Sequence, residues 1–329
     1  MTTGGPSPAK LADAFRAAIA AAEAFAGATS PNPPVGCAIL DANGEILACA
    51  AHEKAGLPHA EAEAIEACRH AGVTKRIHTL VLTLEPCNHH GRTPPCVDAI
   101  LATPAQAVWI GARDPNPKVA GGGAARLAAQ GLTVRFLDDL DPAVARSARR
   151  LIAPFRVWSE SGRPWLTLKR AIAADGGMIP PAGLKTFTSP SSLVLAHALR
   201  RRADAIVTGA GCILADDPAF TVRHLPDHPG KRRTLAILDR RGRTPPAYIS
   251  AAEARGFDVR LHTDIDAMLV ELGDAGVVEA LVEAGPTLLE AFLERDLWDE
   301  QVIILQSPVP GEPDAVEILN RERSCFPAL

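Results

Sequence analysis

No stretch of this chain approaches the roughly 18 apolar residues of a membrane span. The nearest run, Ala17 to Ala26, is short and interrupted by Glu23, so it reads as an amphipathic helix and no membrane partner is expected. Aromatic residues are scarce, at 4%, although alanine raises the hydrophobic share to 47%. With 22% charged residues the chain is globular in composition and not disordered. An excess of one charge is missing too: 34 Lys and Arg against 38 Asp and Glu give a net charge of -4, which argues against a polyanionic partner such as a nucleic acid. The seven cysteines are odd in number and lack framework spacing, and no basic-then-apolar leader precedes Leu11. A disulfide scaffold is thereby excluded, and a reducing cytoplasm is the expected location. Also absent are internal repeats, low-complexity tracts beyond the alanine, and any Gly-x-Gly-x-x-Gly following a strand.

What is present is length for two domains, since one domain takes about 100–200 residues. The pattern alternates through the first half: helix Ala9–Ala26, strands Val35–Leu40 and Glu45–Ala50, helix His59–Ala71, strand His78–Leu84, helix Thr93–Leu101, strand Ala107–Ile110, helix Gly122–Gln130, strand Thr133–Leu137 and a closing helix Asp138–Arg150. Such alternation predicts a layered α/β sandwich. Pro154, Ser159, Ser161 and Gly162 then break the pattern, which sets domains at 1–153 and 164–329 with a linker at 154–163. In the second domain strands are expected at Trp165–Ala171, Ala205–Val207, Arg233–Leu238, Val278–Val282 and Gln301–Leu305, with helices at Pro190–Arg202 and Pro286–Arg295.

The most informative segment runs from His59 to Cys96. His59-Ala60-Glu61, then Pro86-Cys87, then Cys96 offer one imidazole and two thiolates for a tetrahedral Zn²⁺ with its fourth position open to water. Glu61, two residues past the histidine, is free to carry protons between that water and a leaving amine, which is the equipment of a hydrolytic deaminase. The competing account makes Cys87 and Cys96 buried small hydrophobes and His59 a surface helix cap. It leaves unexplained why all three fall where a deaminase needs them. Cys37, Cys49 and Cys68 lie in expected core elements and read as packing thiols. His89 and His90 lie between the ligand cysteines, as alternative ligands or, with Arg92, as the lining of a substrate entrance. In the second domain, Thr208-Gly209-Ala210-Gly211 and Glu283-Ala284-Gly285-Pro286-Thr287 are strands followed by small-residue turns. They suit a phosphate at a helix start or simply a tight turn.

Nucleic-acid and nucleoside deaminases usually place two residues between their cysteines, whereas here eight intervene, Asn88 to Pro95. This loop resembles that of the RibD family of bifunctional riboflavin-biosynthesis proteins, close to Cys-Ser-His-x-Gly-Arg-Thr-Pro-Pro-Cys, with Asn88 in place of Ser. The likeness continues in Pro31-Asn32-Pro33-Pro34-Val35-Gly36-Cys37 and in Asp114-Pro115-Asn116-Pro117-Lys118-Val119-Ala120-Gly121. Beyond the boundary it continues in Pro164-Trp165-Leu166-Thr167-Leu168-Lys169, Thr188-Ser189-Pro190, Leu214-Ala215-Asp216-Asp217-Pro218 and Val282-Glu283-Ala284-Gly285-Pro286-Thr287-Leu288.

The resemblance implies a cytidine-deaminase-like three-layer αβα sandwich followed by a dihydrofolate-reductase-like α/β domain with a shortened C-terminus. It implies Zn²⁺ on His59, Cys87 and Cys96, with Glu61 catalytic. A phosphorylated ribosylamino-pyrimidine would be held by Asn32, His89 and Arg92 in the first domain and by Arg200, Phe220, Arg223 and Glu283 in the second. NADPH would face Ala171, Thr186, Cys212, Asp216, Gly285, Pro286, Thr287 and Leu288, and Arg240, where the family often has Ser, would meet its 2′-phosphate. Ala173-Ala174 replaces the family's Ser-Leu and Cys212 a usual Thr. A homo-oligomer is expected. Two alternatives stay open: a deaminase whose second domain serves binding or oligomerisation, and a structural zinc protein.

Overall fold

The computed structural model describes residues 5–89, 94–116, 122–180, 186–309 and 311–321. It divides into two compact units, Met1–Ser161 and Gly162–Leu329.

The first unit opens with α1 (Pro8–Glu23), where Ser7 caps the first turn and proline sits where no N–H partner is needed. Leu11, Phe15, Ala18, Ile19 and Ala22 recur at helical spacing and form its buried face. There follow β1 (Gly36–Leu40), β2 (Ile46–Ala51), α2 (Ala60–His70), β3 (Thr79–Leu82), α3 (Cys96–Leu101), β4 (Ala107–Ile110), α4 (Gly122–Ala129), β5 (Thr133–Phe136), α5 (Pro142–Leu151) and α6 (Ala153–Ser161). The sheet runs β2-β1-β3-β4-β5. β1 is antiparallel to both its neighbours, and β3, β4 and β5 are parallel. Alternate residues of a strand point to opposite faces. Thus Cys37 and Ile39 join α2, α3 and α4 in one core, while Ala38 and Leu40 join α1 and α5 in another. Helices on both faces make the expected three layers.

Three expectations need correction. The closing helix begins at Pro142, not Asp138, because the Asp141 carboxylate accepts hydrogen bonds from the Ala143 and Val144 N–H groups and so fixes the start. The segment expected as a linker folds as α6: Pro154 falls in the first turn, where it is tolerated, and Phe155 and Val157 are buried. Cys37 and Cys68 are buried, but Cys49 is exposed, since β2 is an edge strand.

The second unit contains β6 (Trp165–Ile172), α7 (Pro190–Arg202), β7 (Ala205–Gly209), α8 (Ala210–Asp216), β8 (Arg233–Leu238), α9 (Pro246–Ala254), β9 (Phe257–His262), α10 (Ile265–Asp274), β10 (Glu279–Val282), α11 (Pro286–Glu294), β11 (Glu300–Leu305) and β12 (Ala315–Asn320). Its sheet runs β12-β11-β6-β10-β7-β8-β9, parallel except for β12. Leu166, Leu168, Val207 and Val282 pack against α10 and α11 on one face, and Ile206, Leu235 and Ile237 pack with Ile213, Tyr248 and Ala252 on the other. Two strands lie outside those expected: β9, an edge strand in which Phe257, Val259 and Leu261 alternate with Asp258, Arg260 and His262, and β12, exposed at every residue. Despite the expected shortening, the chain beyond Gln306 still supplies that antiparallel strand. Because β6, β10, β7 and β8 are parallel neighbours, their C-terminal ends share one edge, the usual ligand-binding edge of an open α/β sheet.

Candidate active sites

In the first unit, the helix start at α2 and the helix start at α3 carry the metal ligands. His59 is the N-cap residue of α2, Cys96 opens α3, and Cys87 lies past the end of β3. His59 Nδ1 is 3.3 Å from Cys96 Sγ and 3.7 Å from Cys87 Sγ. All three ligand atoms lie within 4.8 Å of one another, the one such group among the described residues. A tetrahedral zinc with Zn–S near 2.3 Å and Zn–N near 2.0 Å asks for about 3.5 Å between nitrogen and sulfur, so the three side chains fit the ion.

The Cys96 backbone N–H donates to Cys87 Sγ at 3.3 Å. A hydrogen bond from the Cys96 thiol, then those from His59 and that N–H, hold the Cys87 thiol far below its usual value, at about 4, against the opposing effect of burial. The Cys96 thiol is raised by the same hydrogen bond and by burial.

Glu61, 3% exposed, has its Oε2 buried without a hydrogen-bond partner. Burial raises its carboxyl above the ordinary range. An orphaned carboxylate oxygen beside a metal-ligand trio is what a proton carrier for a bound water requires.

Two further contacts shape this site. Gly123 in α4 touches the strand end that carries Cys87: a Cβ at this position would fall on the Pro86 carbonyl oxygen. Arg126 on the same helix donates to Asn88 Oδ1 at 2.8 Å and to Asp98 at 2.6 Å, so the asparagine that departs from the family pattern has a partner of its own. Asn32 lies near the metal-ligand trio through His52, whose ring packs edge-on to His59 with centroids 5.3 Å apart. His89 is exposed, and Arg92 lies outside the described residues.

In the second unit the C-terminal edge gathers most of the remaining candidates. Glu283 follows β10, is 6% exposed, and holds Arg200 at 2.6 Å and Lys169 at 3.2 Å. Arg200 also donates to the Thr221 carbonyl and lies 5.7 Å from the Phe220 ring centroid. Arg223 is exposed, with its backbone N–H donating to His197 Nδ1 at 2.9 Å. Arg200 is therefore the partner of Glu283 first, whereas Arg223 has its charge on the surface. The next arginines on α7 differ: Arg202 binds Glu279 and Glu300 at the opposite edge of the sheet.

The candidate cofactor residues follow the same edge. Gly285 caps α11 with no side-chain bond at that terminus, and its N–H donates to Cys212 Sγ at 2.8 Å. The β7 and β10 turns thus meet directly, with the exposed Pro286 and Thr287 and the half-buried Leu288 in the first turn of α11. Ala171 lies near the end of β6, Asp216 ends α8 exposed, and Arg240 follows β8, exposed, with Nε donating to the Thr263 carbonyl. Thr186 Oγ1 bonds Thr188. Small turns on adjacent parallel strands, an uncapped helix start and surface arginines suit a phosphorylated dinucleotide. Lys169, His52 and His197 were not singled out by sequence. Lys169, half-buried, sits within an ordinary strand motif, and the two histidines carry no spacing signal.

Comparison with known proteins agrees with both halves. Residues 9–112 match the cytidine and deoxycytidylate deaminase zinc-binding region, and residues 164–323 match the RibD C-terminal domain. The chain is 37% identical over 298 residues to the riboflavin biosynthesis protein RibD of Mycobacterium tuberculosis, covering 88% of this chain and 84% of that one. It is 33% identical over 322 residues to RibD of Aquifex aeolicus, covering 91% and 87%. Among solved structures, a diaminohydroxyphosphoribosylaminopyrimidine deaminase/5-amino-6-(5-phosphoribosylamino)uracil reductase from Thermotoga maritima superposes with a TM-score of 0.80 at 28% identity, over 93% of this chain and 89% of that one. With a deaminase zinc region on one unit and a RibD reductase domain on the other, the chain belongs to the RibD family, the bifunctional deaminases and reductases of riboflavin biosynthesis.

Proposed function

We propose that the chain deaminates 2,5-diamino-6-ribosylamino-4(3H)-pyrimidinone 5′-phosphate at C2 in its first unit, and in its second reduces the ribosyl group of the product to ribityl. The observation that carries the reading is the unpartnered Oε2 of buried Glu61 beside three metal-ligand atoms within 4.8 Å of one another. Zinc on His59, Cys87 and Cys96 supplies the Lewis acidity that lets water ionise near pH 7. Glu61 takes the proton released by the attacking water and delivers it to the departing amine, so ammonia leaves as the C2–N bond breaks and a C2–O bond forms. Asn32 offers an amide donor and acceptor to the pyrimidine, and His89 and Arg92 are the residues whose chemistry suits the ribose phosphate.

In the second unit NADPH supplies the hydride. Glu283, kept ionised by Arg200 and Lys169, is suited to accept hydrogen bonds from ribose hydroxyls and not to donate a proton at neutral pH. Phe220 and Arg223 close the phosphate end, and Arg240 faces the 2′-phosphate of the cofactor. Ala171, Thr186, Cys212, Asp216 and the Gly285 to Leu288 turn line the rest of the NADPH site. We place the chain in the cytoplasm as a homo-oligomer without a nucleic-acid partner. Among the described residues no helix is long and apolar enough to cross a membrane.

Incubation of the purified protein with the substrate, with and without NADPH, followed by mass spectrometry, tests both halves. The product without NADPH should have lost NH and gained O; with NADPH it should also gain two hydrogens. Ammonia release without NADPH consumption would leave the deaminase alone.

A further inference from the structure

His52 is 2% exposed and stands between Asn32 and the metal ligand His59. Its two ring nitrogens face different partners. Nδ1 is 3.0 Å from the Pro58 carbonyl oxygen, which can only accept, so Nδ1 carries the proton. Nε2 is 3.3 Å from Asn32 Nδ2, which can only donate, so Nε2 is bare. Both contacts are satisfied by one tautomer, and that tautomer admits one orientation of the Asn32 amide. The flipped amide would set Oδ1 against the Nε2 lone pair. The backbone of residue 32 is pinned independently, since its N–H donates to the Thr29 carbonyl at 2.9 Å and its own carbonyl accepts from the Thr29 hydroxyl at 3.0 Å.

We infer that His52 is a positioning residue for deamination, fixing the polarity of the Asn32 amide so that Oδ1 and the second Nδ2 hydrogen face the substrate in a set order. An amide presented that way complements a ring edge that offers N–H beside C=O, as a pyrimidinone does. Without the histidine, Asn32 rotates freely and each orientation is populated, which weakens binding of the ring but leaves the chemistry at C2 intact. The inference rests on the reading of Asn32 as a substrate contact.

The test uses the full chain, loaded with zinc, in four forms: His52→Phe, His52→Gln, Asn32→Ala and the double variant Asn32→Ala/His52→Phe. Zinc stoichiometry and the circular dichroism spectrum establish that each is folded and that His59 still binds the metal. Phenylalanine preserves the ring that packs on His59 but offers Asn32 no acceptor; the glutamine Oε1 can accept. Loss of one neutral hydrogen bond is worth about a tenfold change in binding at most. The expected result is a KM for deamination raised about tenfold by His52→Phe, with kcat within about twofold, zinc retained, most of the loss recovered by His52→Gln, and no further loss in the double variant over Asn32→Ala. Equal defects in His52→Phe and His52→Gln, or a loss of kcat together with zinc, would overturn the inference and make the ring a brace for His59. If Asn32→Ala raises KM but His52→Phe does not, the inference fails while Asn32 keeps its role. If neither raises KM, the reading of Asn32 fails and takes the inference with it.

Discussion

Arg200 grips Glu283 at two points, Nε to Oε2 at 2.6 Å and Nη2 to Oε1 at 3.2 Å, with Lys169 joining Oε1 at 3.2 Å. Burial alone would push this carboxyl up, but the charge of Arg200 and then that of Lys169 outweigh it and hold it at about 2, against an ordinary 4.5. A folded-state value below the unfolded one means stability that is fully present above about 4.5 and lost as pH falls toward about 2. The gain is about 3 kcal/mol at neutral pH. Urea unfolding of the native protein and of Glu283→Gln should differ most near pH 7 and converge below about pH 4.5. A gap that stays constant down to pH 3 would contradict this assignment.

Glu61→Gln should lower the deamination rate by about 10²–10⁴-fold, the usual worth of a general acid–base group. Zinc content should stay the same, because Glu61 is not a ligand, and NADPH oxidation on the deaminated intermediate should be untouched. Removing zinc with a chelator should abolish deamination and spare the reduction. Ammonia release and absorbance at the NADPH band read the two outcomes separately.

Gly123→Ala should disturb the metal loop from the far side. The added methyl meets the Pro86 carbonyl, a backbone atom one residue from Cys87 that can yield only if α4 moves. A cost of about 1–3 kcal/mol in stability is expected. Faster zinc loss to a colorimetric chelator is the second readout, and an unchanged rate would place the strain elsewhere.

Arg240→Ser should lower the preference for NADPH over NADH by about tenfold, the worth of one exposed arginine-to-phosphate contact of about 1.4 kcal/mol. The KM for NADH should move little. Equal shifts for both cofactors would assign Arg240 to the fold of the loop, through its bond to the Thr263 carbonyl, and not to the 2′-phosphate.

Much of the first unit was legible because its signals are local. His59-x-Glu61 sits at a helix start, Cys96 opens another, and β3 is a short, fully buried strand whose C-terminal end leads toward Cys87. Short-range chemistry hid other features: the Asp141 cap moved the start of α5, and Pro154 reads as a breaker yet falls in the first turn of α6, where it is harmless. In the second unit β12 is an edge strand exposed at every residue and buries no stripe, whereas the alternation of Phe257, Val259 and Leu261 with Asp258, Arg260 and His262 marks β9 in the sequence, a signal the expected strands left out.

The sequence alone named the candidates for a metal and for proton transfer and determined that two α/β domains follow one another, since these depend on residue type and spacing along the chain. Tertiary structure decided which charges meet. That Arg200 closes on Glu283 while Arg202, two residues on, serves Glu279 and Glu300 at the other edge follows from the course of α7 along the sheet. It also decided that His52, unremarkable in the chain, stands between Asn32 and His59. Hydrogen-bond direction and burial arise only when distant segments share one volume, and no spacing rule encodes them.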